Sequence, residues 1–194
     1  MAVSADVVKE LRDKTGISVM ECKKALEEAG GDMDKAIVVL SRRSAEIARK
    51  KGDRSFGAGT VASYIHNTGQ VGAMVMLSCE TDFVSKNEDF IKLCRDIAMH
   101  AAATKPEYIA REDVGEAALK ELETIFLPAV ADKPENLREQ ILAGKVQSRL
   151  KEIVLLEQPF IKDDSKTVAQ LLLDAAQKFG ERVEVSKLGC FSVK

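Results

Sequence analysis

The stretch TVASYIHNTGQVGAMVMLSC, residues 60–79, decides the fold class. Two runs of alternating side chains flank Asn67, Thr68 and Gly69, a turn signal, so the segment reads as a β-hairpin. In the second run Val71, Ala73, Val75, Leu77 and Cys79 share one face, and Gly72, Met74, Met76 and Ser78 share the other. Both rows are largely apolar, which predicts a strand covered on both faces.

Outward from the hairpin the period changes from two to 3.6. Upstream, residues 4–40 read as three short helices. Val7, Val8 and Leu11 recur at helical spacing until KTG, 14–16, ends the first. In SVMECKKALEEAGG, 18–31, Ser18 and Glu21 have capping-box spacing, and Met20, Cys22, Ala25, Leu26 and Ala29 are the expected buried face. Asp32 or Asp34 opens KAIVVL, 35–40. The stretch SRRSAEIARKKGDR, 41–54, carries six basic and two acidic residues, and reads as a solvated helix extension and linker or as a basic contact strip. The glycines of SFGAGTV, 55–61, suggest a hinge. The expected division is therefore a helical module with its linker, 1–54, and a core, 55–194.

Downstream, Asn87 is placed to cap a helix over 88–105 with Phe90, Leu93, Cys94, Ile97 and Ala101 inward and Pro106 beyond its end. Asp113 is the expected cap of a helix running to about Ala131. Residues 133–156 are strongly helical despite Gly144, EQPFIKDDSK at 157–166 reads as a loop, and 167–180 is a helix closed by Gly180. Residues 182–193 are one terminal strand or two. The fold class is α+β: a three-helix bundle, then a small antiparallel sheet packed with helices.

Composition narrows function. The chain has 194 residues, 45% apolar and 31% charged, with a formal charge of −2, which argues against a chain-wide nucleic-acid or acidic-membrane binder. No apolar run approaches the roughly 20 residues that span a bilayer. The first 14 residues lack the apolar centre of a signal peptide. A cytoplasmic protein is expected. Cys22, Cys79, Cys94 and Cys190 are scattered without a CxxC pair, so neither a disulfide framework nor a zinc site is expected, and Cys190 is the most exposed thiol by position.

Chemistry-bearing motifs are sparse. There is no phosphate-binding glycine loop, no GxSxG and no HExxH. The hairpin allows His66 and Cys79 to be neighbours, but no third residue orients the imidazole. His100, amid Ala and Met, reads as a packing histidine. Glu80, Asp82, Glu88 and Asp89 cluster at a helix N-terminus, where the macrodipole accounts for them. No catalytic residue, metal or cofactor is expected. An enzyme built on Cys79, or a ubiquitin-type or chaperone-like binding module built on the N-terminal bundle, are the rival classes.

Asp82 and Phe83 remain, at a corner between strand and helix in LSCETDFVSKNEDF, 77–90. Either Phe83 folds back under the corner while Asp82 caps a turn, or the pair is a wedge aimed at another protein.

Four segments taken in order, VKELRDKTGISVMECKKALEEAGGDMDKA (8–36), CETDFVSKNEDF (79–90), IAMHAAATKPEYI (97–109) and LLEQPFIKDDSKTV (155–168), resemble elongation factor Ts. The resemblance implies a ubiquitin-associated-like bundle at residues 1–40. It implies guanine-nucleotide exchange on elongation factor Tu, with no bond made or broken. Thr81, Asp82, Phe83 and Val84 would disturb the magnesium and phosphate side of the partner's nucleotide site. Arg12, Val19 and Met20 would touch its nucleotide-binding domain, and His100 would be a further contact. The segment TGISVMEC departs from the family's TGAGMMDC, with Ile17 and Val19 replacing small or flexible residues at a proposed contact. One hairpin and one TDFV make this a short, single-core form, which should leave a sheet edge or apolar face open. A homodimer is expected, acting two-plus-two with its partner, with Cys190 a possible cross-link.

Overall fold

Each of the first three helices begins at a side chain that accepts a backbone N–H. Ser4 Oγ accepts from Val7 at 3.4 Å, Ser18 Oγ from Glu21 at 3.3 Å, and Asp32 Oδ1 from Lys35 at 3.0 Å. The helices are α1 (Ala5–Thr15), α2 (Val19–Glu28) and α3 (Met33–Lys50). Gly16, at φ 70°, closes α1 by donating its N–H to Arg12 O at 2.7 Å. Val8, Leu11, Ile17, Cys22, Ala25, Leu26, Ala36 and Leu40 form one core between the three.

Two details differ from the expected bundle. Met20 is 64% exposed rather than buried. The inward stripe of α2 is Cys22, Ala25 and Leu26, and a residue two before Cys22 lies some 200° around the helix from it. The Glu21 carboxylate does not complete a capping box. It is engaged by Lys24 at 3.2 Å and Arg43 at 3.0 Å, and Arg43 also reaches Glu28, so it links α3 to α2.

The structure, a computed structural model, describes residues 3–50, 55–67 and 69–193; residues 51–54 of the basic stretch lie outside them. The chain divides into two units. One holds Met1–Val61, Met76–Cys94 and Ala169–Ser186; the other holds Ala62–Val75, Arg95–Val168 and Lys187–Lys194.

The hairpin is present as β1 (Ala58–Ile65) and β2 (Val71–Cys79). Gly69, at φ 69°, closes its turn by donating to His66 O at 2.7 Å. The sheet order is β1-β2-β5, with β5 spanning Glu184–Ser192 as a single terminal strand. Gly57 and Gly59 are not hinge residues. A Cβ at either would sit 2.7 Å from a backbone oxygen, of Glu80 and Leu77 respectively, so these glycines permit close strand approach. Only one face of β2 is fully covered: Ala73, Val75, Leu77 and Cys79 are buried, while Met74 on the other row is 51% exposed.

In the first unit the start of α5 (Glu88–Thr104) is capped by Asn87, whose Oδ1 accepts from Asp89 at 2.9 Å. Phe90 on α5 meets Phe179 on α8 (Val168–Phe179) edge-on, with ring centroids 5.8 Å apart. Ser44 on α3 meets the Gln177 side chain on α8. The Ser44 hydroxyl lies within hydrogen-bond distance of both Leu40 O, at 3.0 Å, and Gln177 Oε1, and its one hydrogen serves one of them at a time.

In the second unit, α6 (Glu116–Phe126) and α7 (Glu135–Ile153) pack as a helical hairpin around Val114, Val146, Leu150, Ile153 and Val154. Asp113 does not cap α6. Its carboxylate reaches back to Ala110 N–H at 2.8 Å and closes a 3-10 turn, and Gly115 is the residue before α6. The α6 segment breaks into a 3-10 turn at Leu127–Val130, where Pro128 lacks the N–H that would continue it. The expected loop at 157–166 contains a small antiparallel pair, β3 (Pro159–Phe160) and β4 (Asp163–Thr167). The run is too short and polar to alternate legibly. The architecture is α+β, with small antiparallel sheets and a helical N-terminal bundle.

Candidate functional site

After Cys79 ends β2, the chain turns through Glu80 and Thr81 into α4, a single helical turn at Asp82–Ser85. A helix of four residues cannot hold itself together in water, so its neighbours must fix it. Val84 is buried beneath it. Thr60 Oγ1 donates to Ser85 O at 2.8 Å, and Cys79 Sγ donates to Thr81 O at 3.2 Å. The Glu181 carboxylate accepts three bonds: from Glu80 N–H and Thr81 N–H at 3.0 Å each, and from Thr81 Oγ1 at 2.5 Å. In return Glu80 Oε1 accepts from Arg182 N–H at 2.6 Å. The Arg182 guanidinium lies 4.4 Å from the Phe56 ring centroid and donates to Glu184 at 2.8 Å.

On this anchored corner Phe83 is 81% exposed. It does not fold back. The four residues of the motif therefore divide: Thr81 and Val84 hold the turn, while Asp82 and Phe83 face outward. Asp82 pairs with Lys86 at 2.7 Å across one helical turn, and the ammonium holds its carboxyl below the usual range. Both groups are exposed, so the pair is readily exchanged for another partner.

The corner is not a nucleophile site. Burial first, and the Glu181 charge second, push the Cys79 thiol up to about 11. His66 belongs to the turn end of the hairpin, where its N–H bonds Val71 O at 2.8 Å, whereas Cys79 closes the far end of β2. The neighbouring acids have partners of their own: Glu80 with Arg182, Asp82 with Lys86, Asp89 with Lys178 at 2.7 Å. Among the described residues no three His, Cys, Asp or Glu side chains gather as metal ligands, and no helix is long and apolar enough to cross a membrane.

On the bundle surface Arg12, Val19 and Met20 are all exposed, whereas Ile17 is a core residue. His100, in the second unit, is completely enclosed and offers no surface to a partner. Nε2 bonds Gln158 Oε1 at 2.8 Å and Nδ1 accepts from Ile161 N–H at 3.3 Å, an arrangement that requires a neutral ring protonated on Nε2. Burial lowers its pKa, with the Gln158 bond opposing. A histidine whose folded pKa lies below its unfolded value contributes stability above the unfolded value and loses it as pH falls from there toward the folded one. The melting temperature should begin to fall as the pH drops below the ordinary histidine value of about 6.5, before the paired carboxylates protonate. His100→Gln should remove that slope in thermal melts; an unchanged slope would assign it to another group.

Cys190 is half-buried, donates to Ala101 O at 3.6 Å, and has its thiol pushed up by burial. The other three cysteines are buried. Beside Cys190, Ile65, Met74, Phe191 and Val193 are exposed and line a groove of about 520 Å³. Glu181 is the residue that sequence reasoning missed. It lies 100 positions from Thr81, and its only local signal is an acid directly after a helix-closing glycine.

The family model described as elongation factor TS matches residues 4–193. The elongation factor Ts of Acetivibrio thermocellus is 49% identical over 95% of this chain and 87% of its own length. That of Desulforamulus reducens is 48% identical over 95% and 86%. That of Thermodesulfovibrio yellowstonii is 43% identical over 100% and 97%, so relatives of this length exist. With a match across nearly every residue and the TDFV turn standing at the end of its strand, the chain belongs to the elongation factor Ts family.

Proposed function

We propose that this protein promotes GDP release from elongation factor Tu by docking the Phe83 corner against the magnesium and phosphate side of its nucleotide site. The observation that carries this reading is an aromatic ring 81% exposed on a turn anchored from four directions. A ring in water is unfavourable unless something buries it, and a rigid mount lowers the ordering cost of binding. Phe83 enters between elements of the partner near the metal. Asp82 leaves Lys86 and draws away polar groups that support the metal's water shell. Arg12, Val19 and Met20 engage the nucleotide-binding domain separately.

The process is binding, with no catalytic residue and no cofactor of its own. A factor that prefers the emptied partner must, by reciprocity, weaken nucleotide binding by the same factor. Acceleration by several orders of magnitude requires roughly 4–7 kcal/mol of differential contact. One aromatic hot spot supplies about 2–4 kcal/mol, so the bundle and core must contribute the rest. Residues 1–54 act as the nucleotide-domain module and 55–194 as the core, in the cytoplasm and without direct nucleic-acid contact. His100 fits an indirect role, holding the segment at Ile161.

The same reading includes a homodimer, closed over the groove at Met74 and Phe191, with Cys190 at its margin as a cross-link under oxidation. Immobilised protein should retain nucleotide-free elongation factor Tu and release it on adding GDP with Mg²⁺. Equal retention of free and GDP-loaded partner would contradict the exchange mechanism.

A further inference from the structure

We propose that Glu181 is a positioning residue for exchange, acting through Phe83; this rests on the wedge reading above. The turn that carries Phe83 follows a strand end, where the amides of Glu80 and Thr81 have left the sheet. Thr81 is extended, at φ −126° and ψ 157°, and makes no side-chain cap to α4. Its hydroxyl points to Glu181 instead. One carboxylate thus fixes two consecutive amides and a hydroxyl, all within the two residues before Asp82.

Gly180, at φ 68°, lets the chain leave α8 and present this side chain. The adjacent Arg182 N–H returns a bond to the Glu80 carboxylate, so segments 80–81 and 181–182 are locked reciprocally. Bonds to a charged acceptor are the strong kind, and three converge on one side chain. Of the other anchors, the Cys79 thiol holds only the Thr81 carbonyl, and the rest lie farther along the turn: Val84 is buried beneath it and Thr60 bonds Ser85 O. The Glu181 lock sets the angle at which the turn leaves the sheet, and so the direction of the Phe83 ring. Without it the corner samples several directions, and binding must select one.

The variants grade this contact. Glu181→Ala removes all three bonds. Glu181→Gln keeps an oxygen for the two amides and an N–H₂ that the Thr81 hydroxyl can accept, at neutral strength. Thr81→Val removes the hydroxyl bond alone and keeps the shape. Exchange on elongation factor Tu loaded with fluorescent GDP is measured for each, in the native and Phe83→Ala backgrounds. We expect about a tenfold loss for Glu181→Ala, within threefold of native for Glu181→Gln, and an intermediate value for Thr81→Val. In the Phe83→Ala background the Glu181 changes should cost less than twofold more. That non-additivity distinguishes positioning from general weakening.

Native-like exchange by Glu181→Ala, or full additivity with Phe83→Ala, would overturn the proposal. If Glu181→Ala fails to fold, Thr81→Val decides it: exchange equal to native, or full additivity with Phe83→Ala, would overturn the proposal. A Phe83→Ala protein with native exchange would instead overturn the wedge reading, so the two failures are distinguishable.

Discussion

Phe83→Ala should lower the rate of GDP release from elongation factor Tu by about 30- to 1000-fold, the equivalent of roughly 2–4 kcal/mol at a hot spot. The melting temperature should move little. At 81% exposed the ring makes few contacts in the free protein, and the fold of the corner rests on Val84, Thr60, Cys79 and Glu181 instead. This combination separates a contact residue from a structural one. Val84→Ala should do the reverse, lowering stability first, because its side chain is buried. Stopped-flow fluorescence for exchange and calorimetry for stability give both readings on one preparation. Exchange by Phe83→Ala within twofold of native would remove the ring from the mechanism.

Phe191→Asp should convert the expected dimer to a monomer. The groove lined by Ile65, Met74, Phe191 and Val193 exposes apolar side chains that a second copy would bury, and twofold symmetry counts each change twice. Losing one large apolar contact per protomer costs about 1.5–3 kcal/mol each, before the charge is counted. Dissociation should tighten or loosen with salt only weakly, but the constant should rise by about a hundredfold to ten-thousandfold. Light scattering should give twice 21.2 kDa, or 42.4 kDa, for the native protein and 21.2 kDa for the variant. A native protein that scatters as 21.2 kDa at micromolar concentration would contradict the dimer. Cys190→Ser should keep the native mass but lose any cross-linked band on non-reducing gels.

The elements that local physics dictates were legible in the residues. Capping side chains and helical periodicity gave the three bundle helices, and alternation around Asn67–Gly69 gave the hairpin. What was not legible depended on partners far away in the chain. Met20 looked apolar and therefore inward, yet only the third dimension decides which flank of α2 meets α1 and α3. Gly57 and Gly59 looked like a hinge because sequence cannot show the backbone oxygens against them. The β3–β4 pair was too short to alternate. At the corner, TDFV could be read as folded back or projecting. The choice was made by Val84 entering the core and by Glu181 gripping the two residues before Asp82, a contact spanning 100 positions. His100 illustrates the same limit from the other side: the motif implied a further contact, and the residues alone could not show that the ring is enclosed between Gln158 and Ile161 N–H.

The central claim is that an anchored corner favours the emptied form of a nucleotide-loaded partner. Its most direct test is the dwell time of fluorescent GDP on elongation factor Tu, followed in excess unlabelled GDP with and without this protein. The expected result is release accelerated by several orders of magnitude, saturating with protein concentration. A dwell time unchanged by saturating protein would contradict it.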